Sequence, residues 1–386
     1  MLSLGYDYSI RLFEGWEMYN TTKPFLNRLK NQLTGLIKTK RPHRTTIDGL
    51  PAGLEFSVLR EVVHRHFNTN PTEVTFQRIT NWRLSGAYRI FIKDTAGDQI
   101  TLIYKNAVYS PERAPGLRGF PSIPGRPEYF IYHLAREPLE KYLPCVYYYQ
   151  EVIPGVHYKY LLEDLNQEYR RPTSQTDKLK ITSLIPELHR SMAEWLHIPE
   201  QVKLLAYDLE YAKSLQTYVR VHFEKFLANH RDRRIHHILR HWSQMCELLQ
   251  EEDYFTIQTP GPIHGDFRPL NIMIHRHDRE RMKLVDWEWA GIGLAQNDLA
   301  SLLWRVSPET ERQALEIYAN CVPNLTLEDH KWLYWRCRME RGLQEAAIIA
   351  AQMTGDPHTL VGKAERELSA AANQVLNAFE RLQGEY

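Results

Sequence analysis

Asp266 and Asn271 stand five residues apart across a loop that contains Pro269, in the segment Pro262-Ile263-His264-Gly265-Asp266-Phe267-Arg268-Pro269-Leu270-Asn271. Ile272-Met273-Ile274 reads as a short strand that carries the chain away. Met282-Lys283-Leu284-Val285 reads as the strand that returns and delivers Asp286. A carboxylate, an amide and a second carboxylate are thereby presented toward one point. An acceptor hydroxyl needs a base beside it, and Mg²⁺ needs hard oxygen ligands. Phosphoryl transfer asks for both together, because its catalysis is mostly positioning and charge neutralisation. The competing reading of the segment is a polar loop that caps helices. Arg268, two residues beyond Asp266, either grips phosphate oxygens bidentately or pairs with a neighbouring acid at the surface. Glu288 either orients a metal-bound water, lines an acceptor pocket, or serves as a structural acid behind the site. His264 is read as a brace for the loop, and Asp298 as a helix cap or a support for the loop from behind.

The elements that must position these residues change character along the chain. Pro51 opens a helical pattern in which Leu54, Val58, Leu59, Val62, Val63 and Phe67 share a face. From Val74 the period shortens, and the stretches 74–79, 87–92 and 100–105 read as an antiparallel meander joined by turn-rich segments at 81–86 and 95–98. Residues 107–127 carry so many prolines and glycines that regular structure is excluded, which suggests a lid over the site or a surface excursion. A helix is expected over 128–136 and strands over 146–152 and 158–162. Beyond Leu165 the chain reads as mainly helical, interrupted by the one strand pair that brings in Asp286. This gives an α+β, two-lobed architecture: an extension over 1–50, a β-rich lobe over 51–165 and a helical lobe over 166–386, hinged near 163–165.

Composition excludes several classes. The 386 residues are 43% hydrophobic and 25% charged, which rules out a disordered or collagenous chain. The net charge of +1 gives no general attraction to nucleic acid or to an anionic membrane, and no apolar run is long enough to span a bilayer. The first residues contain no signal-like apolar core. Cys145, Cys246, Cys321 and Cys337 form no close pair and suit a reducing cytoplasm as mostly buried thiols. His237 and His241 have a spacing that can bind zinc, but no third ligand is evident, so surface histidines are the expectation.

The pattern His-Gly-Asp-x-x-x-x-Asn, followed by a strand pair that ends in hydrophobic-Asp-x-Glu, resembles the aminoglycoside phosphotransferase/choline kinase family of small-molecule kinases with a protein-kinase-like fold. Leu161-Leu162-Glu163-Asp164-Leu165 is similar to the family's inter-lobe hinge. Leu188-His189-Arg190 resembles the end of the helix before its catalytic segment, and Asp298-Leu299-Ala300 follows Asp286 at the family's distance. The resemblance implies ATP and Mg²⁺ as cofactors, and a small hydroxylated molecule as acceptor. It implies Asp266 as catalytic base, Asn271 and Asp286 as metal ligands, Lys105 as the lysine on the α/β-phosphates and Glu128 as its partner. It also implies the backbone of Glu163, Asp164 and Leu165 as the adenine contact, and a phosphate-facing Arg268. The family's glycine triad is missing between the first two strands, so phosphate cover falls to Ser85 and Gly86. The intact set of residues argues against a nucleotide-binding pseudokinase. The long helical insertion before Ile263 favours a small enclosed acceptor over a protein hydroxyl. The basic character of 203–241 disfavours a polycationic acceptor.

Overall fold

The computed structural model describes residues 50–79, 85–108, 120, 126–135, 137–154, 156–196, 204–251, 253–355 and 361–384. The expected N-terminal extension, the turn residues 81–84 and nearly all of the proline-rich segment, with the lid expected there, lie outside this set.

The first lobe is built from helix α1 (Phe56–Phe67), strands β1 (Pro71–Arg78), β2 (Ser85–Asp94) and β3 (Gln99–Val108), helix α2 (Arg126–Leu134), and strands β4 (Val146–Ile153) and β5 (His157–Glu163). Its five strands are ordered β1-β2-β3-β5-β4, every neighbour antiparallel. The alternation that predicts the meander is the alternation that packs it. Val74, Ile90, Ile92, Leu102, Tyr104 and Leu161 bury one face against Leu59, Val62 and Val63 of α1. The opposite face near Lys105 is covered by α2. The helix at α1 starts at Phe56, five residues later than Pro51 suggested, while Leu54 still enters the core.

The second lobe contains β6 (Tyr169–Arg170), α3 (Gln175–Leu196), β7 (Leu205–Ala206), α4 (Leu209–Leu227), α5 (Arg233–Arg240), α6 (Trp242–Gln250), α7 (Asp253–Ile257), β8 (Gly261–Ile263), β9 (Ile272–His275), β10 (Met282–Leu284), β11 (Gly291–Gly293), α8 (Gln296–Leu302), α9 (Pro308–Cys321), α10 (Leu327–Gly355) and α11 (Val361–Gly384). The fold is α+β and two-lobed. The expectation of a single strand pair here is corrected: β6 joins β9 and β10 in one small sheet, and β7, β11 and β8 form another. Strands of two or three residues carry no readable period. The helix containing His189 continues to Leu196 rather than ending near Arg190. Of the four cysteines only Cys337 is buried; Cys145 and Cys321 are exposed, because neither lies on an apolar stripe.

One described residue of the proline-rich segment ties it to the helical lobe. Phe120 is buried, with edge-on contacts to Tyr218 at 5.0 Å and Trp289 at 5.5 Å between ring centres.

Candidate active site

The segment from Ile263 to Asn271 is held from behind. Asp298, fully buried near the start of α8, accepts the backbone N–H of His264 at 2.8 Å and of Gly265 at 2.9 Å. His189 of α3 reaches the same carboxylate, 2.9 Å from its Oδ2. Asp298 is thus the support from behind and not a cap. His264 stays neutral: burial lowers its pKa, with the surrounding acids opposing. Its Nδ1 faces the Asp266 N–H at 3.3 Å, and its Nε2 faces the Val285 carbonyl at 3.2 Å. One tautomer satisfies both, and it ties the loop to the strand that delivers Asp286. Gly265 has φ +74°, and a Cβ there would lie 1.9 Å from the Trp289 carbonyl oxygen, so no other residue fits the turn.

These supports aim Asp266 into a cleft of about 1100 Å³ between the lobes. Asp266 is only 2% exposed. Asn271 Nδ2 donates to its backbone carbonyl at 2.9 Å and to its Oδ2 at 2.8 Å. Arg268 Nη2 donates to Oδ2 at 2.9 Å. Arg341, from α10, donates to Oδ1 and, at 2.8 Å, to the Gly265 carbonyl. Burial works to raise the Asp266 carboxyl, but Arg268 and Arg341 outweigh it and hold it at about 2. The group is therefore ionised at any working pH. A carboxylate has roughly four lone-pair positions. Oδ2 accepts from Asn271 and Arg268 Nη2, and Oδ1 accepts from Arg341 with Arg268 Nε also 2.8 Å away, so both oxygens are held by positive or amide donors.

Across the cleft, Lys105 on β3 lies 2.8 Å from Glu128 of α2, 2.8 Å from Asp286 and 3.1 Å from Glu288. Burial works against its charge, but the three carboxylates outweigh that and raise its pKa well above the ordinary lysine value. Burial pushes the Glu288 carboxyl up to about 8, with Lys105 opposing and the other two acids adding. Asp286 sits at φ +66°, and its side chain is 45% exposed to the cleft. The structure thus brings Lys105, Glu128, Asp266, Asn271 and Asp286 to one cleft. Arg268 lines the cleft and pairs with acids, lying 2.8 Å from Asp266 and 3.7 Å from Glu345.

The hinge lines the same cleft. The Glu163 N–H donates to the Cys145 carbonyl at 2.9 Å, and the Leu165 carbonyl accepts from Tyr169 at 2.8 Å. The side chain of Asp164 is held by Arg89 at 2.6 Å. Gly86 lies on β2 opposite Asn106, and Ser85 begins that strand. His237 and His241 stack 4.7 Å apart, and His241 Nδ1 bonds Gln244. Among the described residues, the one set of acids and histidines whose atoms converge as for a metal is Glu128, Asp286 and Glu288.

Sequence reasoning missed Arg341 and Gln344. A signal existed: α10 is apolar on nearly all sides yet carries Arg336, Arg338, Glu340 and Arg341, and charges in such a helix must find buried partners.

Residues 139–320 match the model of the phosphotransferase enzyme family. No curated protein matches the chain. Among solved structures, choline kinase from Cryptosporidium parvum Iowa II is similar, with TM-score 0.57 and 10% identity over 86% of this chain and 97% of that one. Plasmodium vivax ethanolamine kinase has TM-score 0.52 and 12% identity over 92% of this chain and 96% of that one. Spectinomycin phosphotransferase, solved in complex with ADP and spectinomycin, has TM-score 0.52 and 10% identity over 84% of this chain and 99% of that one. At these identities the likeness establishes a shared fold.

Proposed function

We propose that this chain, whose residues 139–320 match the model of the phosphotransferase enzyme family, is an ATP- and Mg²⁺-dependent kinase that moves the γ-phosphoryl group to a hydroxyl of a small molecule. The observation that carries the reading is the joint placement, in one cleft, of a lysine caged by acids and a buried carboxylate held by two arginines and an asparagine. We assign the lobe boundary to 163–165, where β5 ends.

The donor set fits a magnesium ion. Because the Asn271 nitrogen is turned inward onto Asp266, its amide oxygen remains for a hard cation, and Asp286 is the exposed carboxylate beside it. When bound, the ion supplies charge neutralisation across the phosphates. Lys105 serves the α/β-phosphates, and Glu128 fixes its direction. Asp266 accepts a hydrogen bond from the acceptor hydroxyl and orients it in line. With its pKa near 2 it is a weak base, so it takes the proton late, as the loose transition state of phosphoryl transfer permits. Arg268 holds Asp266 through Nη2, with its Nε 2.8 Å from Oδ1. We assign its guanidinium charge, set beside the reacting oxygens, to the transferred phosphoryl group. With the Glu163 N–H and the Leu165 carbonyl engaged, adenine recognition falls to the Asp164 carbonyl and the Leu165 N–H. Ser85 and Gly86 cover the phosphates from β2.

The helices α10 and α11 wall the far end of the cleft, which supports a small acceptor over a protein chain. Titration with ATP·Mg²⁺ by calorimetry, followed by a screen of hydroxylated metabolites for ADP release, tests the reading. Absence of nucleotide binding would end it.

A further inference from the structure

The far end of the cleft also constrains what the acceptor is. Its lining comes from the catalytic segment, α10 and α11, and its charges close on one another. Asp266 is paired with Arg268 and Arg341, Glu345 with Arg268 at 3.7 Å, and Glu367 with Lys363 at 3.7 Å. No carboxylate of this wall is left to receive an ammonium group. A cation entering here would meet an arginine or a lysine beside every acid. A carboxylate entering here would meet Asp266 and Glu345, and beyond them the phosphates of the nucleotide. Like charges brought together in a desolvated site cost several kcal/mol.

The uncharged part of the lining is apolar and amide. Leu270 is 57% exposed, the highest value among the described large hydrophobic residues that face water. It belongs to the catalytic segment itself, one residue before Asn271, and lines the cleft with Ile348 and Ile349. A leucine this exposed beside a catalytic carboxylate is informative, because exposed apolar surface that is concentrated in a cleft marks a ligand site. Gln344 lines the same wall, its Oε1 facing Arg341 Nη1 at 3.4 Å, which directs its amide N–H groups elsewhere.

We propose that the acceptor is an uncharged alcohol with an apolar body. Its hydroxyl meets the Asp266 carboxylate, its apolar face covers Leu270 and Ile348, and a further oxygen accepts from Gln344. This rests on the kinase reading above and narrows its substrate class.

The test uses matched triplets that differ only in charge: hexyl, aminohexyl and carboxypentyl glucosides, and the methyl, aminomethyl and carboxyl derivatives of cyclohexylmethanol. Binding to the full chain is measured by ligand-observed NMR in the presence of ATP·Mg²⁺. A neutral member should bind at least about tenfold more tightly than both charged partners, the ratio that 1.4 kcal/mol supplies. Leu270→Glu, whose position is exposed and so tolerates the change, should weaken the neutral member and bring up the ammonium member. Tightest binding by an ammonium or a carboxylate member, or no binding by any triplet, would overturn the proposal. So would a neutral-member affinity that Leu270→Glu leaves unchanged. Displacement of a fluorescent ATP analogue, read on the same samples, reports on the kinase reading separately. Nucleotide binding with the wrong acceptor charge sinks only the acceptor class.

Discussion

Asp266 and Asp286 are both acidic and both line the cleft, yet their surroundings separate their tasks. Asp266 is clamped by two guanidinium groups and an amide, while Asp286 offers a half-exposed carboxylate beside Lys105. We predict that Asp286→Asn weakens ATP·Mg²⁺ binding, whereas Asp266→Ala leaves it nearly intact and abolishes transfer. Equal losses of nucleotide affinity in calorimetry would refute the division of roles. For Arg268, removing one preorganised donor from developing charge predicts a loss in kcat on the order of 10²–10³ for Arg268→Ala, with KM for ATP little changed. Arg268→Lys should recover part of it, because a point charge remains without the fork. If Arg268→Ala keeps wild-type kcat, the residue only holds Asp266 and Glu345, and Lys105 and Mg²⁺ are left as the charge carriers.

At the scale of elements, what the sequence reveals follows from length and period. The β1–β3 meander was legible because eight to ten residues alternate on each strand and the connections have turn chemistry. The Asp266–Asn271–Asp286 grouping was legible because it depends on one loop and one hairpin. Arg341 was not, because it arrives on α10 from 75 residues away: the charges of that helix say that buried partners exist, but not that Asp266 is one of them. The same holds for His189; support from Asp298 was one of two readings of that residue, and the structure decides for it because helix packing sets its carboxylate behind the catalytic segment. Element ends show a further device at the start of α3. Asp177 is buried, accepts both guanidinium nitrogens of Arg170 at 2.8 and 2.9 Å, and receives the N–H groups of Thr173 and Ser174. The Arg170 hydrogen bonds are the main reason its pKa lies well below the usual carboxylate range. Its stabilising effect is therefore full above the unfolded carboxylate value of roughly 4 and is lost as pH falls toward the folded one. We predict that Asp177→Asn costs about 2 kcal/mol near neutrality, the worth of a buried charge-assisted hydrogen bond. The gap to wild type should shrink as pH is lowered from about 5 to 2. A gap in denaturant midpoints that is independent of pH would show that the charge on Asp177 contributes nothing.

For the whole molecule, Lys105 is the point where the lobes meet through charge. It leaves the five-stranded sheet, takes Glu128 from its own lobe, and crosses to Asp286 and Glu288 at the end of the hairpin in the other. The ligand atoms of those three acids lie within 4.8 Å of one another. Without nucleotide, the lysine is the cation that makes their proximity tolerable. The same acids keep it protonated and directed into the cleft, so one arrangement supports the resting fold and prepares the phosphate site. Two further pairs flank this crossing at the hinge, Arg89 with Asp164 and Lys283 with Glu163, at 2.6 and 2.7 Å. They hold the sheet and the small β9–β10 sheet to the same three hinge residues without spanning the cleft. Removing one partner of a buried ion pair costs about 3–5 kcal/mol because the remaining charge is left uncompensated. We predict that Lys105→Met loses roughly 3 kcal/mol of stability without nucleotide, the lower end of that range because Asp286 is half exposed. Millimolar Mg²⁺ alone should return part of the loss, since a divalent cation can stand between the acids the lysine left, while the wild type should gain little from the same addition. Thermal unfolding of both proteins with and without Mg²⁺ decides it. If Lys105→Met unfolds at the wild-type temperature, or Mg²⁺ shifts both proteins equally, the acids do not depend on Lys105, and the lobes are held by their shared apolar core and the hinge.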